Sequence, residues 1–415
     1  MPPVLKVVNK MNLELLSPAG GINQLKAACG YGANAVYFGT NTLNMRSAAD
    51  GFTLENLQEA VKLANNHNVK AYLALNSTPH NADLTELEST IIAAKNAKIN
   101  AFIEADLGVI NAIKTHASEI PIHASVQMGV TNYATANFLH DLGIKRIIVS
   151  RELTLDEMAE IRAKTPKSLE IEAFTHGAMC VSRSGRCLLS NYMTGRDANR
   201  GNCAQSCRWE YNLIEKTRPN QPYSIGEDSH GTYILNANDM CMVEHLNKMR
   251  DAGITSFKIE GRTKSEYYTA VVTNAYRAAL DILENGGDYK IPNWILHELE
   301  TISHRPYSTG FYLGEKGTQT LENAGYIRGY QVVGQVLGYK NDLLHIIQRN
   351  RFFKGDELEV LEPVAGAKPF KIKVEKIYNL KMQEIEAANQ SDTEVFLEIN
   401  AKKIEKSSFL RAKID

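Results

Sequence analysis

Five of the six cysteines of this 415-residue chain fall between Cys180 and Cys241, and only Cys29 stands apart. Six residues separate Cys180 from Cys187, fifteen separate Cys187 from Cys203, three separate Cys203 from Cys207, and thirty-three separate Cys207 from Cys241. The N-terminal MPPVLKVVNKMNLELL is broken by Lys6, Asn9, Lys10 and Glu14, so no secretion signal is expected. A cytoplasmic protein with reduced thiols follows, and its cysteine cluster reads as metal-binding or catalytic before it reads as disulfides. Four thiolates can bind an iron–sulfur cluster, and four Cys or His can bind structural zinc. Spacing leaves both open, with metal-free packed thiols as the third reading.

The residues around the sulfurs favour a functional site. SRSGRC and GRDANRGNC bring Arg183, Arg186, Arg196 and Arg200 close to them in sequence, and cations stabilise thiolates. Cys241 lies in NDMC, where Asn238 or Asp239 can cap a following helix; it is either a fifth ligand candidate or a neighbour of the site. Cys29, in QLKAACGYG, reads as packed core.

A second constellation is cationic and follows strand-like runs: Arg46 in NMRSAA, Arg151 in VSREL, Lys258 and Arg262 in FKIEGR. With His123 and His176 these residues can face a small anion, since arginine forks match carboxylate and phosphate. Glu172 and Glu260 are candidates to pair with these cations or to act as acid or base, and His176 is a further candidate catalytic group. Protease machinery is nearly absent: neither HExxH nor GxSxG occurs, and a Cys–His dyad such as Cys180 with His176 is the remaining possibility.

These residues need a scaffold. Eight strand candidates, at 13–17, 35–39, 70–76, 101–106, 121–127, 146–150, 170–177 and 257–261, alternate with helical patterns. Leu54, Leu57, Val61 and Ala64 mark one helix face, and Ala134, Phe138 and Leu142 another. The expected fold is α/β, an eight-stranded TIM-like (β/α) barrel over 1–285. An open doubly wound sheet is the alternative, disfavoured because no glycine-rich phosphate fingerprint follows the first strand. A cysteine-rich insertion, 178–256, separates strands seven and eight and leaves the barrel at its catalytic mouth. Within it RWEYNLIEK and GTYILN read as strands and DMCMVEHLNKMRDAG as a helix.

A connector at 286–331 leads to 332–415, where QVVGQVLGY, LLHIIQ, ELEVLEP, FKIKVEKI and EVFLEIN alternate apolar and polar residues. A small antiparallel β-barrel or sandwich is expected. Its basic and aromatic tracts, HIIQRNRFFKGD among them, suit RNA, with a solvated β surface as the plainer reading. The chain carries 46 Lys plus Arg against 47 Asp plus Glu, a net charge of -1, so nucleic-acid contact has to be local. No membrane span is expected.

From Glu172 to Tyr211, EAFTHGAMCVSRSGRCLLSNYMTGRDANRGNCAQSCRWEY closely resembles the collagenase-like unassigned peptidase family thirty-two. LLSPAGG, FGTNTLNMR, HASVQMGVTN, SRELTLDE, FKIEGRTKSEYY and SHRPYSTGFYLG extend the resemblance over nearly the whole chain. Length and arrangement look most like the prephenate-dependent tRNA hydroxylation branch. The resemblance implies an iron–sulfur enzyme that converts the wobble uridine of tRNA to 5-hydroxyuridine, with prephenate as co-substrate and dioxygen not the obligatory oxygen source. It implies a 4Fe-4S cluster on Cys180, Cys187, Cys203 and Cys207; Cys241 also matches a family cysteine. The alternatives are a collagenase-like peptidase and hydroxylation of another RNA or of a quinone precursor.

Overall fold

The computed structural model describes residues 13–41, 43–45, 51–180, 186–209, 226–228, 231–233, 237–314 and 326–414. Short buried strands alternate with helices: β1 (Glu14–Pro18), α1 (Ile22–Gly30), β2 (Ala35–Phe38), α2 (Leu57–Asn66), β3 (Lys70–Ala74), α3 (Leu87–Ala97) and β4 (Ala101–Glu104). The series continues with α4 (Leu107–His116), β5 (Ile122–Ala124), α5 (Tyr133–Asp141), β6 (Arg146–Ile148), α6 (Leu155–Ala163) and β7 (Glu170–Ala178). After an excursion come β11 (Ser256–Ile259) and α9 (Glu266–Glu284). The excursion carries α7 (Leu189–Thr194), a hairpin of β8 (Gly226–Asp228) and β9 (Gly231–Tyr233), then β10 (Asp239–Cys241) and α8 (Leu246–Asp251).

β11 pairs in parallel with both β1 and β7, so β1 to β7 and β11 close into an eight-stranded parallel barrel. Closure removes the open-sheet alternative. Helix starts are fixed locally: the Asp106 carboxylate accepts the N–H groups of Gly108 and Val109 at the head of α4, and Thr154 with Glu157 forms a capping box on α6. The excursion leaves the barrel between its seventh and eighth parallel strands, at the C-terminal end where barrel enzymes build their sites. Among the described residues no helix is long and apolar enough to cross a membrane.

Local expectations fail at three points. The buried face of α5 is Ala136 and Leu139, while Phe138 is exposed; an aromatic misled the choice of face because size alone does not mark burial. Leu54 precedes α2 and is exposed, and the helix buries Leu57, Ala60, Val61 and Ala64. The helix expected over DMCMVEHLNKMRDAG begins late, because Asp239–Cys241 is drawn into a strand antiparallel to Gly177 and its neighbours on β7. RWEYNLIEK lies almost wholly outside the described residues, and of GTYILN only 231–233 is described, as β9.

α10 (Asn293–Glu300) and β12 (Tyr307–Ser308) follow, β12 pairing in parallel with β10. The C-terminal strands are β13 (Tyr330–Lys340), β14 (Leu343–Gln348), β15 (Phe352–Phe353), β16 (Glu357–Leu361), β17 (Phe370–Tyr378), β18 (Glu384–Ile385), β19 (Ala387–Ala388), β20 (Glu394–Ile399) and β21 (Phe409–Lys413). Six of them, in the order β16, β21, β13, β14, β20, β17, close antiparallel through β16 and β17 around Val336, Ile346, Val360, Val374 and Leu397. Closure leaves these six no open edge. Arg411 of β21 is fully buried and joins the two barrels: its guanidinium bonds Glu298 and Thr301 beside α10, Tyr267 on α9, and Glu359 on β16.

The parallel barrel holds a charged axis where aliphatic layers are usual. Arg146 donates to Glu14 at 2.5 Å, to Glu172 at 3.0 Å and to Ser256 at 3.1 Å, and its Nε donates to Glu170 at 2.7 Å. Lys258 donates to the other oxygen of Glu172 at 2.8 Å. Burial opposes ionisation of Glu14, yet Arg146, Lys70 and the Tyr72 hydroxyl outweigh it and hold the carboxyl at about 2, below its ordinary 4.5. The folded state therefore gains from the ionised form above pH 4.5, and loses that gain as pH falls toward 2. Glu14→Gln is expected to cost about 3 kcal/mol in urea denaturation at pH 7. The wild-type advantage should shrink as the titration is repeated from pH 5 down to pH 3; a constant difference would contradict the ion-pair assignment.

Candidate active site at the barrel mouth

The charged axis ends in a cavity. Lys258 reaches it from below, its ammonium 4.4 Å from the Tyr37 ring centre and 5.4 Å from that of Phe174. Arg151 stacks over Phe174 at 4.8 Å and donates to the Ala178 carbonyl at 3.0 Å. Arg262, buried, bonds the Asn44 amide oxygen. These three cations share one narrow cavity with Glu260, Asn76, Ser125, Gln127, Met45 and Tyr37. Its volume is about 50 Å³, room for one or two waters at about 30 Å³ each. Asn76 donates to Ser125 at 3.1 Å and Gln127 at 3.0 Å, and its buried amide oxygen has no hydrogen-bond partner among the described residues.

Of the residues singled out in the sequence, Arg151, Lys258, Glu260 and Arg262 thus come together. Arg46 lies outside the described residues, next to Met45. Glu172 is not at the mouth: it is fully buried in the axis, held by Arg146 and Lys258. His123 packs edge-on against Tyr72 at 4.9 Å and does not line the cavity; burial, reinforced by the Arg146 charge, keeps it neutral. His176 sits among the rings of Tyr268, Tyr276 and Tyr307, and burial pushes it down to about 3. The polar lining from Asn76, Ser125 and Gln127 escaped sequence reasoning. Its signal was polar residues directly after strands three and five, in LNST and ASVQ.

Close backbone approach shapes this end of the barrel. Gly177 has a φ of +106°, and a Cβ there would lie 2.3 Å from the Glu260 carbonyl oxygen. That proximity lets the Glu260 N–H donate to the His176 carbonyl at 2.9 Å, anchoring the strand that presents Glu260 and Arg262. Gly20, from SPAGG, meets the Arg262 carbonyl as tightly: a Cβ would lie 2.0 Å from it.

Beside the inner cavity lies an outer one of about 770 Å³. Asn44 separates them, lining the outer cavity while bonding Arg262 of the inner. One outer wall comes from Ala82, Asp83, Thr85 and Glu86; another comes from Gly195, Asp197, Arg200 and Asn202 of the cysteine-rich insertion. The insertion is pinned there by a two-pronged Arg200–Asp83 pair at 2.6 and 2.7 Å and by the Thr78 N–H on the Asn199 carbonyl at 2.9 Å.

Among the described residues no three His, Cys, Asp or Glu side chains gather as a metal site. Cys180 and Cys203 are exposed, Cys187 and Cys207 half-buried. Asn199 brackets Cys187, accepting its N–H and donating to its carbonyl, both at 3.0 Å. The Gln205 N–H donates to the Cys203 sulfur at 3.3 Å. Four such sulfurs on one loop segment suit iron–sulfur chemistry as donors. Cys241 goes elsewhere. Its strand neighbour across β7 is His176, while Asp239 faces Ala178, so Cys180 runs on past β10 in the direction away from Cys241.

Cys–His nucleophilic chemistry finds no support in these contacts. Cys180 follows His176 by four residues, about 13 Å along an extended chain. Cys241 lies beside Tyr276 at 3.7 Å, and burial pushes its thiol up to about 11. A protonated thiol facing a neutral imidazole is the reverse of an activated pair. Cys29 is buried in the core, where burial raises its thiol to about 12.

Residues 20–322 match Peptidase family U32, and residues 328–411 match the Peptidase family U32 C-terminal domain. The chain belongs to Peptidase family U32. Among U32 relatives, a tRNA hydroxylation protein of Bacillus subtilis is 36% identical over 403 residues, covering 96% of this chain and 94% of its own. A protein of Porphyromonas gingivalis named collagenase is 32% identical, with 92% of this chain and 94% of that one covered. A 23S rRNA 5-hydroxycytidine synthase of Escherichia coli is 32% identical over 85% of this chain and 53% of its own. In this U32 chain the packing of Gly20 on Arg262 is directly testable. Gly20→Ala should lower stability to urea by about 2 kcal/mol, because two backbones must part; a variant as stable as wild type would refute that contact.

Proposed function

We propose that this protein is an iron–sulfur RNA-modifying enzyme that hydroxylates C5 of the wobble uridine in tRNA, with prephenate as co-substrate. One observation carries the reading. A cation-lined cavity and a cysteine-rich insertion share the mouth of one barrel, with a nucleotide-sized cavity between them. Support comes from the B. subtilis relative, named for tRNA hydroxylation and matched over 96% of this chain, and from the E. coli relative, whose name records a 5-hydroxylated cytidine in rRNA.

Cys180, Cys187, Cys203 and Cys207 would hold a 4Fe-4S cluster as thiolates, which requires the four sulfurs to draw together. When bound, the cluster supplies one-electron chemistry beside the substrate. Arg151, Lys258 and Arg262, with Arg46 following Met45, would bind the two carboxylates of prephenate. The amide oxygen of Asn76, without a partner among the described residues, can accept a ligand hydroxyl. Prephenate is larger than the inner cavity, so it has to reach these cations through the outer one, past Asn44. Glu260 is the carboxylate positioned to take up a proton there. Glu172 and Arg146 act at one remove, orienting Lys258.

The test is the nucleoside profile of tRNA from a deletion strain, read by mass spectrometry. Loss of 5-hydroxyuridine, restored by the wild-type chain and not by Cys187→Ala or Cys203→Ala, is the expected result. Anaerobically purified protein should be brown, with iron and sulfide each near about four per chain. Colourless protein with stoichiometric zinc, or an unchanged nucleoside profile, would sink the reading.

A further inference from the structure

The insertion carries a surface that hydroxylation chemistry does not require. Between Ala178 and Trp209 the sequence has Arg183, Arg186, Arg196, Arg200 and Arg208 against a single carboxylate, Asp197, in a chain of net charge -1. Four large apolar side chains of this segment face solvent: Tyr192 is 89% exposed, Leu188 74%, Trp209 43% and Met193 42%. A helix that buries only Ser190 and exposes its aromatic ring is not contributing to a core.

The base of this surface is firmly tied. The Ser190 hydroxyl donates to the Arg196 carbonyl at 2.7 Å and accepts the Ala204 N–H at 2.9 Å. α7 packs against the turn Ser206–Arg208 that precedes Trp209. The residues following α7, Gly195, Asp197, Arg200 and Asn202, form a wall of the outer cavity.

We propose that this face docks single-stranded RNA: unpaired bases stack on Tyr192 and Trp209, Arg186 and Arg196 take phosphates, and the strand leads one nucleotide into the outer cavity. The inference rests on the RNA-hydroxylation reading above. Charge complementarity selects RNA as the occupant, since an apolar protein partner has no need of the arginine surplus. The C-terminal barrel is the competing surface: its Arg349, Lys354, Lys371, Lys376 and Lys402 are each held by a carboxylate and Arg411 is buried, while Arg351, Lys373, Lys403 and Lys406 are exposed and form no ion pair among the described residues. What sets the insertion segment apart is that Asp197 is its one carboxylate between Ala178 and Trp209.

The experiment uses full-length, anaerobically purified protein and a fluorescent, unmodified anticodon stem-loop followed by anisotropy. Tyr192→Ala and Trp209→Ala should each weaken binding about ten-fold, with unchanged melting temperature and iron content, while Tyr192→Phe keeps wild-type affinity. Arg196→Ala should lower the slope of log affinity against log salt by about one. Phe353→Ala, on the C-terminal barrel, should bind normally. Equal affinity of wild type, Tyr192→Ala and Trp209→Ala, with 5-hydroxyuridine still dependent on the gene, overturns the docking face and leaves the enzymatic reading standing. Loss of a co-purifying protein with RNA affinity intact assigns the face to a protein partner and also overturns it. A wild-type chain that binds no RNA, from a strain whose deletion changes no nucleoside, removes both proposals together.

Discussion

Everything at the mouth of this barrel depends on the buried carboxylate of Glu172. One of its oxygens accepts from Arg146 and the other from Lys258, so it links the floor of the barrel to the cavity above. Without it, two cations would share a low-dielectric interior, where like charges repel strongly. With it, Glu14, Arg146, Glu172 and Lys258 alternate in sign up the axis. Such buried ion pairs often add no stability over a well-packed aliphatic interior. What it gains is an ammonium held in a fixed direction at a site where flexible lysines are otherwise hard to orient.

The strand that carries Glu172 also organises the insertion. β7 is nine residues long where its neighbours have three or four, and it pairs in turn with β6, β11 and β10. Its lower half closes the barrel. Its upper half stands above the rim and accepts β10 antiparallel, so the chain can leave after Ala178 and return without disturbing the parallel ring. The cysteine segment therefore starts from a rigid edge, and the Arg200–Asp83 pair fixes its far side to the β3–α3 connection.

How much of this was legible in the sequence follows from how local each signal is. The eight barrel strands and the main C-terminal strands could be read because burial on both faces, or on alternate residues, leaves its pattern within a few positions. The cluster of cations after strands six and eight could be read because barrel topology sends all strand ends to one rim. The charged axis could not: Arg146 lies 132 residues from Glu14 and 110 from Ser256, and no local pattern records such a partner. Glu172 accordingly read either as a partner of the strand-end cations or as an acid or base, and in the axis it bonds one of those cations, Lys258. The unusual feature was present all the same, as charged residues inside strands that should be apolar. The setting of His176 and Cys241 was hidden for a related reason: their types suggest chemistry, while the tyrosine rings and backbone around them come from distant parts of the chain.

Balanced net charge is the remaining constraint. A chain at -1 cannot attract a polyanion by its overall field, so an RNA substrate has to be recognised where cations outnumber carboxylates. In the C-terminal barrel the β-ladder sets some lysines opposite glutamates, Lys371 with Glu357 and Lys376 with Glu398, and cross-strand pairing offsets part of their charge. Between Ala178 and Trp209, short turns and one six-residue helix accompany a single carboxylate, Asp197, and Arg200 pairs with Asp83 by reaching across to the barrel. The same irregular backbone that presents thiols thus leaves Arg186 and Arg196 without an ion pair among the described residues. Proximity of the two is the economical arrangement for an enzyme acting on a base within a charged strand: the groups that hold the backbone adjoin the groups that react.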